Sequence, residues 1–220
     1  MSAFSFLDQL LKAGTDAARG YNARQSDVGK YATGAAAGSL LTMLLGSRGG
    51  RRLGGKVLKV GGVAALGVMA WKAYSDWQAQ QAAKGASAPA ALPEAGFAAL
   101  PPPQAEAHGQ AMLKAMIAAA KSDGHVDERE RGLLEAELGR VQAPAELRAW
   151  VETELRRPVE PADVAAAATG PEMAAEIYLA SVLVVDETST MERAYLDALA
   201  RELRLDAGLK ATLEARAAAA

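Results

Sequence analysis

The sequence predicts an all-α protein, with a glycine-rich helical hairpin in its N-terminal half and a helical bundle in its C-terminal half. Alanine is abundant in the 220 residues, and β-branched residues are sparse outside residues 182–185. Apolar residues recur every three or four positions, which is the spacing of one helix face. The length suits one ordinary domain plus an accessory segment.

The composition excludes several classes of site. The formal net charge is −2, so the overall charge indicates neither a nucleic-acid partner nor an acidic one. Cysteine is absent, which removes disulfides, thiolate metal sites and cysteine nucleophiles. Only His108 and His125 could supply imidazole, so a histidine-rich zinc site is not expected. No phosphate loop, nucleophile triad or paired-carboxylate hydrolase motif is present, and we expect a protein that is not an enzyme.

Residues 1–30 predict a short amphipathic helix followed by a connector. A basic n-region is missing, and Asp8 and Gln9 interrupt the first apolar stretch, so the start of the chain does not resemble a secretory signal. The apolar positions instead fit one face of a helix that packs at an interface or against a core. They are Phe4, Phe6, Leu7, Leu10 and Leu11. Residues 14–30 are polar and contain scattered glycines, as connectors do.

Residues 31–77 predict two apolar helices joined by a basic glycine loop at residues 47–56. Residues 31–46 carry no charge. At about 1.5 Å per residue they reach roughly 24 Å, less than the roughly 30 Å of a bilayer's hydrocarbon core. The second helix spans that core only if Lys59 and Lys72 extend to its two interfaces. Gly34 and Gly38 stand four apart, a spacing that lets helices approach closely in lipid.

We therefore predict a membrane hairpin, and the alternative is an alanine-rich hairpin buried against protein. The basic loop favours a cytoplasmic position, but basic residues before and after the hairpin compete with it, so no orientation is assigned. Residues 78–103 predict a linker, because Pro89, Pro93 and the prolines at 101–103 break helices and favour extended chain.

Residues 104–220 predict a compact bundle of about six or seven helices. The first ends at Asp123 and Gly124, and a second carries Leu133, Leu134, Leu138 and Val141. A third begins at Pro144 and buries Leu147, Trp150, Val151 and Leu155, and a short one covers residues 162–168. The helix that opens at Pro171 is apolar almost all round from Ile177 to Val185, so we expect it to be the central buried helix. The sixth carries Met191, Tyr195, Leu196, Leu199 and Leu203, and the last covers residues 207–215.

Two acidic turns in this half predict the candidate site. The first lies within residues 118–131, and a degenerate copy lies within residues 183–193, as an internal duplication of a helix-turn-helix unit would give. If the two units pack as a pair, their carboxylates converge and repel each other unless they bind a hard divalent cation or protonate. The predicted metal ligands are Asp123, Asp127, Glu130, Asp186 and Glu192.

The glutamates also have a structural explanation. Asp127 with Glu130, and Ser189 with Glu192, each form a capping box that satisfies the first amides of a helix. Asp123, Gly124, Val126 and Glu130 match the second half of an EF-hand loop. Ala119 and Lys121 occupy its first and third positions and supply no carboxylate, so a true EF-hand is excluded. Asp123 and Asp186 are the residues that capping leaves unexplained.

Two stretches together carry a resemblance to a known family. They are residues 59–74 (KVGGVAALGVMAWKAY) after the basic glycine loop, and residues 191–200 (MERAYLDALA) after Val185 and Asp186. The chain resembles the YebE-type family of uncharacterised bacterial inner-membrane proteins, whose C-terminal half is similar to the TerB tellurite-resistance domain. The resemblance implies a TerB-like helical domain at residues 104–220, an inner-membrane location and a link to envelope or chemical stress. It also implies an acidic metal site at Asp123, Glu130, Asp186 and Glu192, but no molecular activity.

The expected function is a membrane-anchored helical module that binds an unidentified protein partner and is gated by a divalent cation at the acidic turns. Its partners would be the lipid bilayer and that protein, with no nucleic acid. Two alternatives stay open: a metal-dependent enzyme that uses the same carboxylates, and a soluble adaptor that forms homo-oligomers through the glycine-rich hairpin.

Overall fold

The described part of the chain is all helical. The computed structural model describes residues 62–83, 102–124, 131–132, 135, 138–139, 142–185 and 190–219. Its helices are α1 (Gly62–Ala83), α2 (Pro102–Ala120), α3 (Ala145–Arg156), α4 (Pro161–Ala165), α5 (Pro171–Val182), α6 (Thr190–Glu202) and α7 (Ala207–Ala219). These residues contain no strand, which confirms the predicted all-α class for them.

Helix α5 is the centre of the bundle, as its sequence predicted. Every residue from Met173 to Val185 is buried, and α1, α2, α4, α6 and α7 all contact this helix. The helix begins at Pro171, whose missing amide is no loss in a first turn. The Ala174 N–H then donates to the Gly170 carbonyl at 2.9 Å. An apolar residue on every side of the helix is what allows neighbours to cover it completely.

Helix α2 leads directly into the first acidic turn. Its apolar positions Met112, Leu113, Met116 and Ile117 are all buried. A turn follows the helix, and the Gly124 N–H donates to the Lys121 carbonyl at 3.0 Å. Gly124 has φ +126°, a backbone conformation that only glycine adopts without strain, so the predicted stop at Asp123 and Gly124 is confirmed.

Helix α1 packs against α5 and α7 and belongs to the same hydrophobic core. Leu66, Ala70, Ala73 and Tyr74 form its buried face. The helix continues to Ala83, six residues into the range predicted as linker. For residues 66–77, burial of one face against protein is therefore what the structure shows. No helix in the described ranges is long and apolar enough to cross a membrane.

Several predictions lie outside the described residues. They concern residues 1–30, the first hairpin helix at residues 31–46, the basic loop, most of the linker, and most of the helix with Leu133 and Leu134. Two details differ from expectation. Met191, placed on the apolar face of α6, is 56% exposed in the first turn of that helix. Trp150 and Leu155 are only partly buried, whereas Leu147 and Val151 on the same helix are buried as predicted.

Candidate functional site

Two of the five predicted metal ligands lie in the described residues. Asp123 is exposed at the turn after α2, whereas Glu192 is buried in the first turn of α6. Asp127, Glu130 and Asp186 lie outside the described residues, and so does Ser189, the proposed cap for Glu192. Helix α6 contacts α2, so the helix before the first turn and the helix after the second are neighbours. Within the described ranges, no three histidine, aspartate or glutamate side chains are arranged to hold a metal ion.

Lys121, beside the first turn, has a structural role that the sequence did not reveal. Its side chain is buried, and its ammonium donates to the Glu154 carbonyl at 2.9 Å and to the Arg157 carbonyl. These carbonyls lie at the C-terminal end of α3, where a positive charge interacts favourably with the helix dipole. Burial lowers the pKa of the Lys121 ammonium, and the carboxylate of Glu154 offsets part of that shift. Lys121 therefore ties α2 to the end of α3.

A small cavity with a mixed apolar and charged lining lies between α2, the end of α3 and α4. Its charged lining residues are Lys114, Lys121, Glu154, Arg157, Glu160 and Asp163. Its volume of about 20 Å³ is room for about one water molecule, too little for a substrate. The Lys114 ammonium donates to the Asp163 carbonyl in α4 at 3.0 Å, so the two lysines hold α2 against α4 and the end of α3.

A histidine–glutamate pair joins α2 to the central helix. His108 Nε2 lies 2.5 Å from Glu176 Oε2, and the two side chains are 13% and 12% exposed. One turn earlier, burial and the nearby Glu176 carboxylate raise the pKa of Glu172. The partners are separated by 68 positions in the chain, so no local pattern could have paired them. The pair therefore links α2 to α5.

A polar network joins α5, α6 and α7. The hydroxyl of the fully buried Tyr178 donates to Glu214 Oε1 at 2.7 Å. Lys210 Nζ lies 2.8 Å from the same carboxylate oxygen and 3.3 Å from Asp197 Oδ1. Buried hydroxyl groups generally form a hydrogen bond. Here the acceptor is the Glu214 carboxylate, whose charge is balanced by Lys210.

Two polar contacts hold α1 on the bundle at the rim of its apolar face. Trp77 Nε1 donates to Asp206 Oδ1 at 3.0 Å, and the same oxygen accepts the Gly208 N–H at 2.8 Å at the start of α7. Asp76 forms an ion pair with Arg216. The indole N–H of Trp77 therefore binds the same side chain that caps the start of α7.

The fold and these contacts define a class of protein: a helical bundle built around one buried helix, with a helix from the N-terminal apolar region packed on it. The chain belongs to the family described as "Protein of unknown function (DUF533)", whose model matches residues 30–217. The match therefore covers the predicted hairpin and the bundle together.

The chain is also similar to a curated protein. The chain is 30% identical over 105 residues to the "Uncharacterized protein in ampR 5'region" of Yersinia enterocolitica. The aligned part is 48% of this chain and 76% of that relative. No solved structure matches the chain significantly.

Proposed function

We propose that the chain is a non-enzymatic helical interaction module that holds a helix in the groove between α5 and α7. Its apolar segment before α1 would attach it to the bacterial inner membrane. The observation that carries the proposal is α1 itself, a helix from outside the predicted bundle that lies in this groove. An amphipathic helix in an apolar groove is a common mode of recognition between proteins.

The contacts of α1 have the form of such an interface. Leu66, Ala70, Ala73 and Tyr74 recur at three-four spacing and fill the apolar centre. The hydrogen bond from Trp77 and the ion pair of Asp76 lie at the polar rim. An apolar centre with a polar rim is typical of protein interfaces. The partner that fits the groove is therefore a helix with one face of small residues between a leucine and a tyrosine.

A peptide experiment tests the groove. Ala73 has no exposed surface, so a glutamate at that position should displace α1, because an unpaired buried charge is very unfavourable. We expect a fluorescent peptide of residues 62–83 to bind the full-length Ala73→Glu variant and not the wild type, whose groove is occupied. Gln80→Glu adds the same charge at an exposed position of α1 and should behave as wild type.

The outcome that contradicts the proposal is equal binding of the peptide to the wild type and to Ala73→Glu. A peptide that itself carries Ala73→Glu should not bind, which controls for non-specific adhesion. Partner capture from cells extends the test: a protein that uses the groove should be recovered in larger amounts with Ala73→Glu than with Gln80→Glu.

Fractionation tests the proposed membrane attachment separately. The support is the uncharged stretch at residues 31–46 and the basic loop after it. We expect the full-length protein in the membrane fraction, and we expect it to resist alkaline extraction. Recovery in the soluble fraction without detergent would remove the anchor and leave the groove proposal untouched.

The acidic turns supply a proposed regulatory site for a divalent cation. The support is the contact between α2 and α6, which brings together the helices that border the two turns. Calcium, magnesium, manganese or zinc should then raise the melting temperature of the full-length protein relative to EDTA, because a ligand of the native state stabilises it. An equal rise in the Asp123→Asn/Asp186→Asn double variant, or no rise at millimolar cation, would remove the site. Glu202→Gln, at an exposed position of α6, is the control.

A further inference from the structure

The start of α7 forms a slot for the indole ring of Trp77. The indole Nε1 donates to Asp206 Oδ1 at 3.0 Å. The same oxygen accepts the backbone N–H groups of Gly208 at 2.8 Å and Leu209 at 3.4 Å, as the cap of a helix does. The helix α7 itself therefore holds the carboxylate that receives the indole.

The absence of a side chain at Gly208 leaves room for the ring. A Cβ atom at this position would lie 3.1 Å from Asp206 Oδ1 and 3.4 Å from Trp77 Nε1. Both distances are below the roughly 3.5–4.0 Å at which carbon atoms pack best. Within α1, the ring centroid of the buried Tyr74 lies 5.7 Å from that of Trp77, a usual spacing for an aromatic pair. The slot therefore combines a fixed acceptor, an open position and an aromatic neighbour.

A second polar contact fixes the position of α1 along the groove. Asp76, next to Trp77, pairs with Arg216 near the other end of α7. Residues 206 and 216 are ten positions apart, about 15 Å at 1.5 Å per residue, and two adjacent residues of α1 reach both. A helix shifted by one turn, or bound in the opposite direction, would lose both contacts. Polar contacts of this kind contribute more to the choice and register of a partner than to affinity.

We infer that Asp206, Gly208 and Arg216 select the helix that the groove binds, and that this partner helix carries an acidic residue followed directly by tryptophan. In α1 the two residues stand two and three positions after Tyr74, the last fully buried residue of its apolar face. Tryptophan supplies both a ring and an N–H donor, whereas phenylalanine supplies the ring alone. The inference rests on the proposed groove between α5 and α7 and names the partner that the groove accepts.

Peptides of residues 62–83 test the selection on the full-length Ala73→Glu variant, whose groove is expected to be free. Trp77→Phe in the peptide should weaken binding about tenfold, because it removes the donor to a carboxylate and keeps a ring. Asp76→Lys in the peptide should weaken binding several-fold, and Arg216→Asp in the protein should restore it. Gly208→Ala in the protein should weaken the unchanged peptide more than a Trp77→Ala peptide, because only the first has an indole to displace.

A Gln80→Lys peptide is the matched control, because it adds a positive charge at an exposed position and should bind as the unchanged peptide does. If the unchanged peptide does not bind Ala73→Glu, the groove itself is wrong and the inference falls with it. If that peptide binds and the Trp77→Phe and Asp76→Lys peptides bind equally well, the groove stands and the selection is overturned. Equal weakening by Asp76→Lys and Gln80→Lys, without rescue by Arg216→Asp, would overturn the role of Arg216.

Discussion

Replacing Leu66 with alanine tests whether α1 is part of the folded core. Leu66 is 4% exposed and lies on the face of α1 that packs against the bundle. If α1 were an independent membrane segment, this change would leave the stability of the bundle unaltered. If α1 is docked as the structure shows, the change opens a cavity in the core.

The expected magnitude follows from the kind of contact that is lost. A buried leucine replaced by alanine costs about 2–5 kcal/mol, and we take about 3 kcal/mol for a helix at the edge of the core. For a chain of this size, that loss lowers the melting temperature by about 6–12 °C. The ion pair of Asp76 and Arg216 contributes less. Asp76 is 46% exposed, and exposed pairs contribute at most about 1 kcal/mol. Apolar packing therefore dominates the docking of α1.

Urea unfolding and amide hydrogen exchange together measure the effect. If α1 detaches before the rest of the bundle unfolds, the loss of about 3 kcal/mol appears as roughly a hundredfold faster exchange in residues 62–83. Val68→Ala, on the exposed face of the same helix, should change stability by no more than about 0.5 kcal/mol. Equal effects of Leu66→Ala and Val68→Ala in both measurements would refute the docking of α1.

Three further substitutions test contacts inside the bundle. Burial and Glu176 raise the pKa of Glu172, so the folded chain holds its proton more tightly than the unfolded chain. That stabilisation is complete below the ordinary glutamate pKa of 4.5 and is lost as the pH rises through the folded pKa. Glutamine stays neutral at every pH, so Glu172→Gln should become more stable relative to the wild type as the pH rises through that window. Urea midpoints measured at several pH values check this. Tyr178→Phe removes the hydrogen bond to Glu214 and should cost about 1–2 kcal/mol in urea unfolding. Lys121→Met leaves the carbonyls that end α3 without their donor and should cost about 2–3 kcal/mol in the same assay.

Matched variants separate these effects from general damage. Glu160→Gln changes an exposed carboxylate and should show no pH-dependent gain. Tyr195 carries a buried hydroxyl for which the described residues provide no hydrogen bond of normal geometry. Tyr195→Phe should therefore lower the free energy of unfolding by less than Tyr178→Phe does. Lys114→Met removes one donor from a more exposed lysine and should cost less than Lys121→Met. A pH-independent difference for Glu172→Gln, or equal losses within either of the other pairs, would contradict the assigned contacts.

The sequence predicted the central helix and its start because both are encoded locally. A proline after a glycine marks the first turn at Pro171, and apolar residues on every side predict complete burial. The stop after α2 is also local, because Gly124 takes a backbone conformation that favours glycine. These features need no knowledge of the neighbouring helices.

The environment of α1 could not be predicted in the same way. An alanine- and glycine-rich helix has a similar composition whether it packs against lipid or against protein, because both surroundings are apolar. The feature that distinguishes them here is the Trp77–Asp206 contact, which spans 129 positions of the chain. The pairing of His108 with Glu176 and the burial of Lys121 depend on distant partners too, so single-residue patterns did not indicate them.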